Sequence, residues 1–106
     1  MADNSKYYED VAKFTSGVNN DAVDSIVKYC GIALRSKDAS LVSCGDPAEL
    51  GRVRDGFASK KLGLSGDAAD KAMAVVCEKM KDDRMKSRVT FYYLLAEETG
   101  TMGTLA

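Results

Sequence analysis

Three cysteines, Cys30, Cys44 and Cys77, are the side chains best suited to covalent chemistry in this chain of 106 residues. Cys44 stands in "SLVSCGDPAEL", two residues ahead of an Asp-Pro pair that reads as a helix start. A thiol at that point lies in the positive field of a helix N-terminus, which favours the thiolate that nucleophilic and redox-sensing cysteines need. Asp46 opposes this, because it fills the cap and brings a negative charge close by. The chain has no histidine. That removes Ser-His and Cys-His nucleophile pairs, an imidazole acid or base, and the ordinary zinc sites. Cys44 is therefore expected to be a small loop residue rather than a catalytic group, with reversible oxidation as its chemical alternative. The cysteines are far apart, odd in number and without a C-x-x-C pair, so no disulfide framework is expected; reduced thiols suit a cytoplasmic protein.

The second group with chemical potential is the cluster Lys79, Lys81, Arg84, Lys86 and Arg88, which runs into Phe91, Tyr92 and Tyr93. Cations for phosphates beside aromatic rings for bases would make a surface for single-stranded nucleic acid. Glu78, Asp82 and Asp83 interrupt it, and a solvated helix junction is the expected reading. Tyr92 and Tyr93 point to different sides of one helix, so at least one is expected at a rim or a partner surface. Lys81, Arg84, Lys86, Arg88, Tyr92 and Tyr93 together form the candidate interaction surface. Arg52, Arg54, Lys60 and Lys61 make a sparser basic face, expected to pair with neighbouring acidic residues. The carboxylates carry no calcium-loop pattern, and no phosphate-binding glycine motif occurs, so no metal and no cofactor is expected.

Five helices must position these groups. The first is expected over about residues 5–15, and the second starts near Asn20 or Asp21, with Val23, Ile26, Val27, Cys30 and Leu34 on its apolar stripe. Asp46 as cap, Pro47 as first helical residue and Glu49 three residues after the cap predict the third helix with a capping box. Leu50, Val53 and Phe57 form its inner face, and Gly63 ends it. The fourth starts at Ser65 or Asp67 and carries Ala69, Ala72, Met73, Val76 and Met80 on one side, with Cys77 at the edge. The fifth, over about residues 85–98, contains "VTFYYLLA", apolar on every side for two turns. A helix of this kind is central or lies at an interface. A strand is the alternative, but the chain offers it no partner. The fold class is therefore all-α, a single compact bundle of about five helices spanning residues 1–106, with residues 1–4 and 101–106 as flexible ends.

Fifteen basic and 16 acidic residues give a net charge of −1, which provides no global attraction to nucleic acid or anionic lipid. Hydrophobic residues make up 45% and charged residues 29%, the composition of a folded globular domain. The longest apolar run falls far short of the roughly 20 residues of a membrane helix. The segments "GIALRSKDASLVSCGDPAELGRVRDGF", "KKLGL" and "DRMKSRVTFYYLLAE" resemble the small bacterial family catalogued as domain of unknown function 2853. That resemblance implies a stand-alone bacterial domain and no particular chemistry. The expected function is a non-enzymatic, cytoplasmic protein-interaction module, meeting another protein or a second copy of itself. The alternatives are a thiol-based redox sensor through Cys44 and a weak nucleic-acid binder through residues 79–88.

Overall fold

The computed structural model describes residues 4–35, 40–83 and 86–105. Its helices are α1 (Ser5–Ala12), α2 (Asn20–Cys30), α3 (Pro47–Val53), α4 (Gly66–Lys79) and α5 (Arg88–Thr99). A π-helix, Arg54–Lys61, continues α3, and short 3-10 turns cover Gly31–Arg35 and Met102–Thr104. The fold is an all-α bundle; among the described residues the extended backbone amounts to one isolated antiparallel bridge, Leu41 to Ser87.

The segment with no polar face is the centre of the molecule. Every residue of α5 from Val89 to Ala96 is buried, and the helix packs against α1, α2 and α4. Fully burying Phe91, Leu94 and Leu95 contributes about 1.5–3 kcal/mol for each side chain. The polar atoms within this segment are all occupied. Thr90 Oγ1 donates to the Asp10 carboxylate, and Tyr93 Oη accepts from the Asn19 N–H at 2.9 Å, at the start of α2. Gly100, at φ 69°, closes α5 in the left-handed conformation that glycine adopts without penalty.

The predicted inner faces hold: Val53 and Phe57 are buried, as are Ala69, Ala72, Met73, Val76 and Met80. The third helix does not stay α-helical, and the reason is legible in "FASKKL". Four residues beyond Phe57 a regular helix would turn Lys61 inward, at the cost of burying an unpaired charge. The wider turn, with the Leu62 N–H donating to the Phe57 carbonyl at 3.1 Å, brings Leu62 into the core instead and leaves Lys60 and Lys61 exposed.

Three boundaries differ from expectation, the first being the start of α5 at Arg88 rather than near residue 85. α1 ends at Ala12, three residues early. The C-terminal segment, expected to be loose, folds back: Leu105 is buried, and its carbonyl accepts a hydrogen bond from Ser25 Oγ. Residues 1–3 and 106 lie outside the described residues.

Candidate functional site: a crosslinked loop held by a half-buried arginine

The loop from Ser40 to Asp46 is positioned by backbone hydrogen bonds before any side chain is considered. The Arg88 N–H donates to the Ser40 carbonyl at 2.8 Å, and the Val42 N–H donates to the Lys86 carbonyl at 2.9 Å. Because residues 86–88 follow α4 by only a few residues, this pairing lays the loop beside the end of α4. Cys44 then meets Cys77, in the last turns of α4, and the two form a disulfide with S–S 2.16 Å and Cα–Cα 5.9 Å across a sequence separation of 33. The separation between the α-carbons is the ordinary one for a crosslink. Both cysteines are partly exposed.

This corrects the expectation of three reduced thiols and of Cys44 as an isolated loop cysteine. Sequence spacing reports on local neighbours only, and this pair is made by tertiary placement.

Arg88 fixes the same loop from beneath. Its guanidinium donates to the Leu41 carbonyl at 3.3 Å, to Tyr92 Oη at 2.8 Å and to the Glu49 carboxylate, so it holds the chain on both sides of Cys44. The side chains of Arg88 and Glu49 are 13% and 12% exposed, which makes this a partly buried ion pair. Glu49 also accepts from Arg52 at 2.8 Å. Burial opposes the charge on Glu49, but the hydrogen bonds and positive charges of Arg52 and Arg88 outweigh it and hold the carboxyl below its ordinary range. Burial likewise works against Arg88, and Tyr92 and Glu49 more than compensate, leaving it more firmly protonated.

The predicted capping box is therefore half formed. Asp46 Oδ1 accepts from the Ala48 N–H at 3.0 Å, but the Asp46 N–H goes to the Ser43 carbonyl and Glu49 turns to Arg88. Glu49 and Cys77 are the site residues that sequence reasoning missed: Glu49 matched a cap, and nothing local marks its partner 39 residues away or pairs Cys77 with Cys44.

The remaining candidates fall as follows. Tyr92 and Tyr93 are both buried, so neither forms a rim or partner surface. Tyr92 stacks on Phe57 with ring centroids 4.0 Å apart, and Tyr29 meets both rings edge-on. Lys81 pairs with Glu78 at 3.0 Å, Lys79 with Glu98 at 3.5 Å, and Lys86 Nζ donates to the Asp83 carbonyl at 2.7 Å. Arg84 lies outside the described residues. The described cations of the basic segment thus each have an acceptor, among their own neighbours or in Glu49. On the second basic face, Arg52 pairs with Glu49, and Arg54 with Asp55 and Asp70.

Cys30 is the free cysteine, half-buried at the end of α2. Burial pushes its thiol from the ordinary 9.0 up to about 11, with the Arg88 charge pulling weakly the other way. The folded protein keeps this proton where the unfolded chain has lost it, so the contribution is full below pH 9.0 and is lost as the pH rises towards about 11. Urea unfolding across that interval is expected to show a shallower alkaline decline in Cys30→Ala than in the parent; identical slopes would mean that Cys30 is solvated.

A small all-α domain, with a loop–helix crosslink braced by a partly buried ion pair, is the class that these features define. The family described as "Protein of unknown function (DUF2853)" matches residues 6–103, and the chain belongs to it. No curated protein matches the chain. Among the described residues no helix is long and apolar enough to cross a membrane.

Proposed function

We propose that the protein is a redox-responsive helical domain in which Cys44 and Cys77 interconvert between dithiol and disulfide. The supporting observation is that the loop bearing Cys44 is tied to the start of α5 independently of the crosslink, by the pairing of residues 40–42 with 86–88 and by Arg88, and α5 itself packs against α4. Reduction therefore leaves the two thiols as neighbours, ready to close again. Oxidation by a low-molecular-weight disulfide balances as protein dithiol plus RSSR giving protein disulfide plus two RSH, through a mixed disulfide that the second protein thiol displaces. In the cytoplasmic setting expected from the sequence, glutathione keeps most thiols reduced, and disulfides there are usually transient or redox-sensing. The partial exposure of both cysteines gives a small thiol access to the bond.

The test is an equilibrium titration in dithiol buffers, with alkylation of the free thiols read by mass. A midpoint above about −300 mV, in the range of labile and regulatory pairs, supports the reading; a lower one identifies a permanent structural crosslink and overturns it. The interaction-module reading has lost its principal motive, because the all-apolar helix that called for a partner is enclosed by its own chain.

A further inference from the structure

On the side of α5 facing α1, a cavity of about 260 Å³ opens between α1, the end of the 3-10 turn after α2, and the Leu41–Ser87 bridge. Among the described residues its lining combines a cation, an anion and an apolar floor: Lys6, Asp10, and Leu34 with Leu41, closed by the Tyr7 ring, Ser40 and Ser87. The anion is pre-positioned. Thr90, fully buried, donates its hydroxyl proton to Asp10 Oδ2, while Oδ1 has only Lys13, 69% exposed and 3.5 Å away. A contact so exposed and so long is weak and readily displaced.

The cation is held apart from that anion. Lys6 lies one helical turn before Asp10, yet its ammonium sits over the Tyr7 ring, 5.0 Å from the centroid. Ser87 stands at the N-terminus of α5 without using its hydroxyl to cap that helix.

We propose that this cavity binds a small zwitterion of the α-amino acid class with an aliphatic side chain. The ligand ammonium meets Asp10, its carboxylate meets Lys6 and the Ser87 hydroxyl, and its side chain lies on Leu34 and Leu41. The volume falls just below the roughly 300–1,000 Å³ of drug-sized sites, which fits a free amino acid rather than a nucleotide or a peptide. Two opposite charges set on one apolar floor select for a ligand that carries both, since an analogue lacking either forgoes one charge-assisted hydrogen bond.

The probe is L-leucine, titrated to about 10 mM into isotopically labelled oxidised protein and followed by amide chemical shifts, beside 4-methylpentanoate and 3-methylbutylamine. Saturable shifts at Lys6, Tyr7, Asp10, Leu41 and Ser87 are expected with leucine, and binding of each single-charge analogue at least about tenfold weaker. Absence of saturable shifts at these amides, or equal binding of the analogues, overturns the proposal. Asp10→Asn is expected to weaken leucine binding about tenfold. Because Asp10 also serves Thr90, the exposed Lys6→Met variant gives a second reading: the same loss is expected, and unchanged affinity overturns the assignment.

Discussion

Replacing Cys44 and Cys77 together by serine is expected to lower the unfolding free energy by about 3–4 kcal/mol. The crosslink closes a loop with a sequence separation of 33, and the chain-entropy relation for a loop of that size gives about 3.7 kcal/mol at 25 °C. For a domain of this length that corresponds to a fall in Tm of roughly 15 °C. Calorimetry with and without reductant checks it: the parent should drop on reduction to about the Tm of the double variant, and the double variant should not respond. A parent that melts at the same temperature in both conditions would show that the unfolded chain gains nothing from being cut free.

The second large effect belongs to Arg88. Arg88→Met takes one of two cationic partners from a partly buried carboxylate, leaving Glu49 with Arg52, and removes the donor to Tyr92 Oη and the Leu41 carbonyl, with an expected cost of about 1.5–3 kcal/mol at neutral pH. The acid side supplies an independent check. Glu49 has a folded-state pKa below its ordinary 4.5, so its contribution is present above that value and is lost as the pH falls through the lowered one. Arg88→Met should therefore lose part of the parent's acid-side slope in urea unfolding measured from pH 7 down to about pH 3. Adding Glu49→Leu should restore much of the lost stability, because paired hydrophobic replacements at buried ion pairs are often neutral. No recovery would mean that the cost lies in packing rather than in the partner lost by Glu49.

The helices and their inner faces were readable from periodicity and caps, because a run such as Ala69, Ala72, Met73, Val76 and Met80 commits itself within one segment. The centrality of α5 was readable for the same reason, since a segment with no polar side has to be enclosed. What escaped was every feature made by two distant segments. Cys44 stood out as a candidate redox thiol beside its helix start, but Cys77, at the edge of an apolar stripe, gave no sign of being its partner. Glu49 matched a cap so well that its service to Arg88 was hidden. The tyrosines misled in the opposite direction: a hydroxyl reads as a surface group, yet Tyr92 and Tyr93 satisfy theirs inside, through Arg88 and the Asn19 N–H.

The crosslink also changes what kind of object the chain is. Residues 44–77, carrying α3, the π-helix and α4, form a covalent ring, and two arms leave it at a single knot: one bears α1 and α2, the other α5. The arms meet at once through the Leu41–Ser87 bridge, so the central helix is threaded between a ring and an arm that are tethered to the same point. A peptide bond cut at the exposed pair Lys60 and Lys61 leaves one covalent molecule while the ring is oxidised and two fragments once it is reduced. After such a cut, whether the two halves remain one molecule is conditional on the oxidation state of two sulfur atoms.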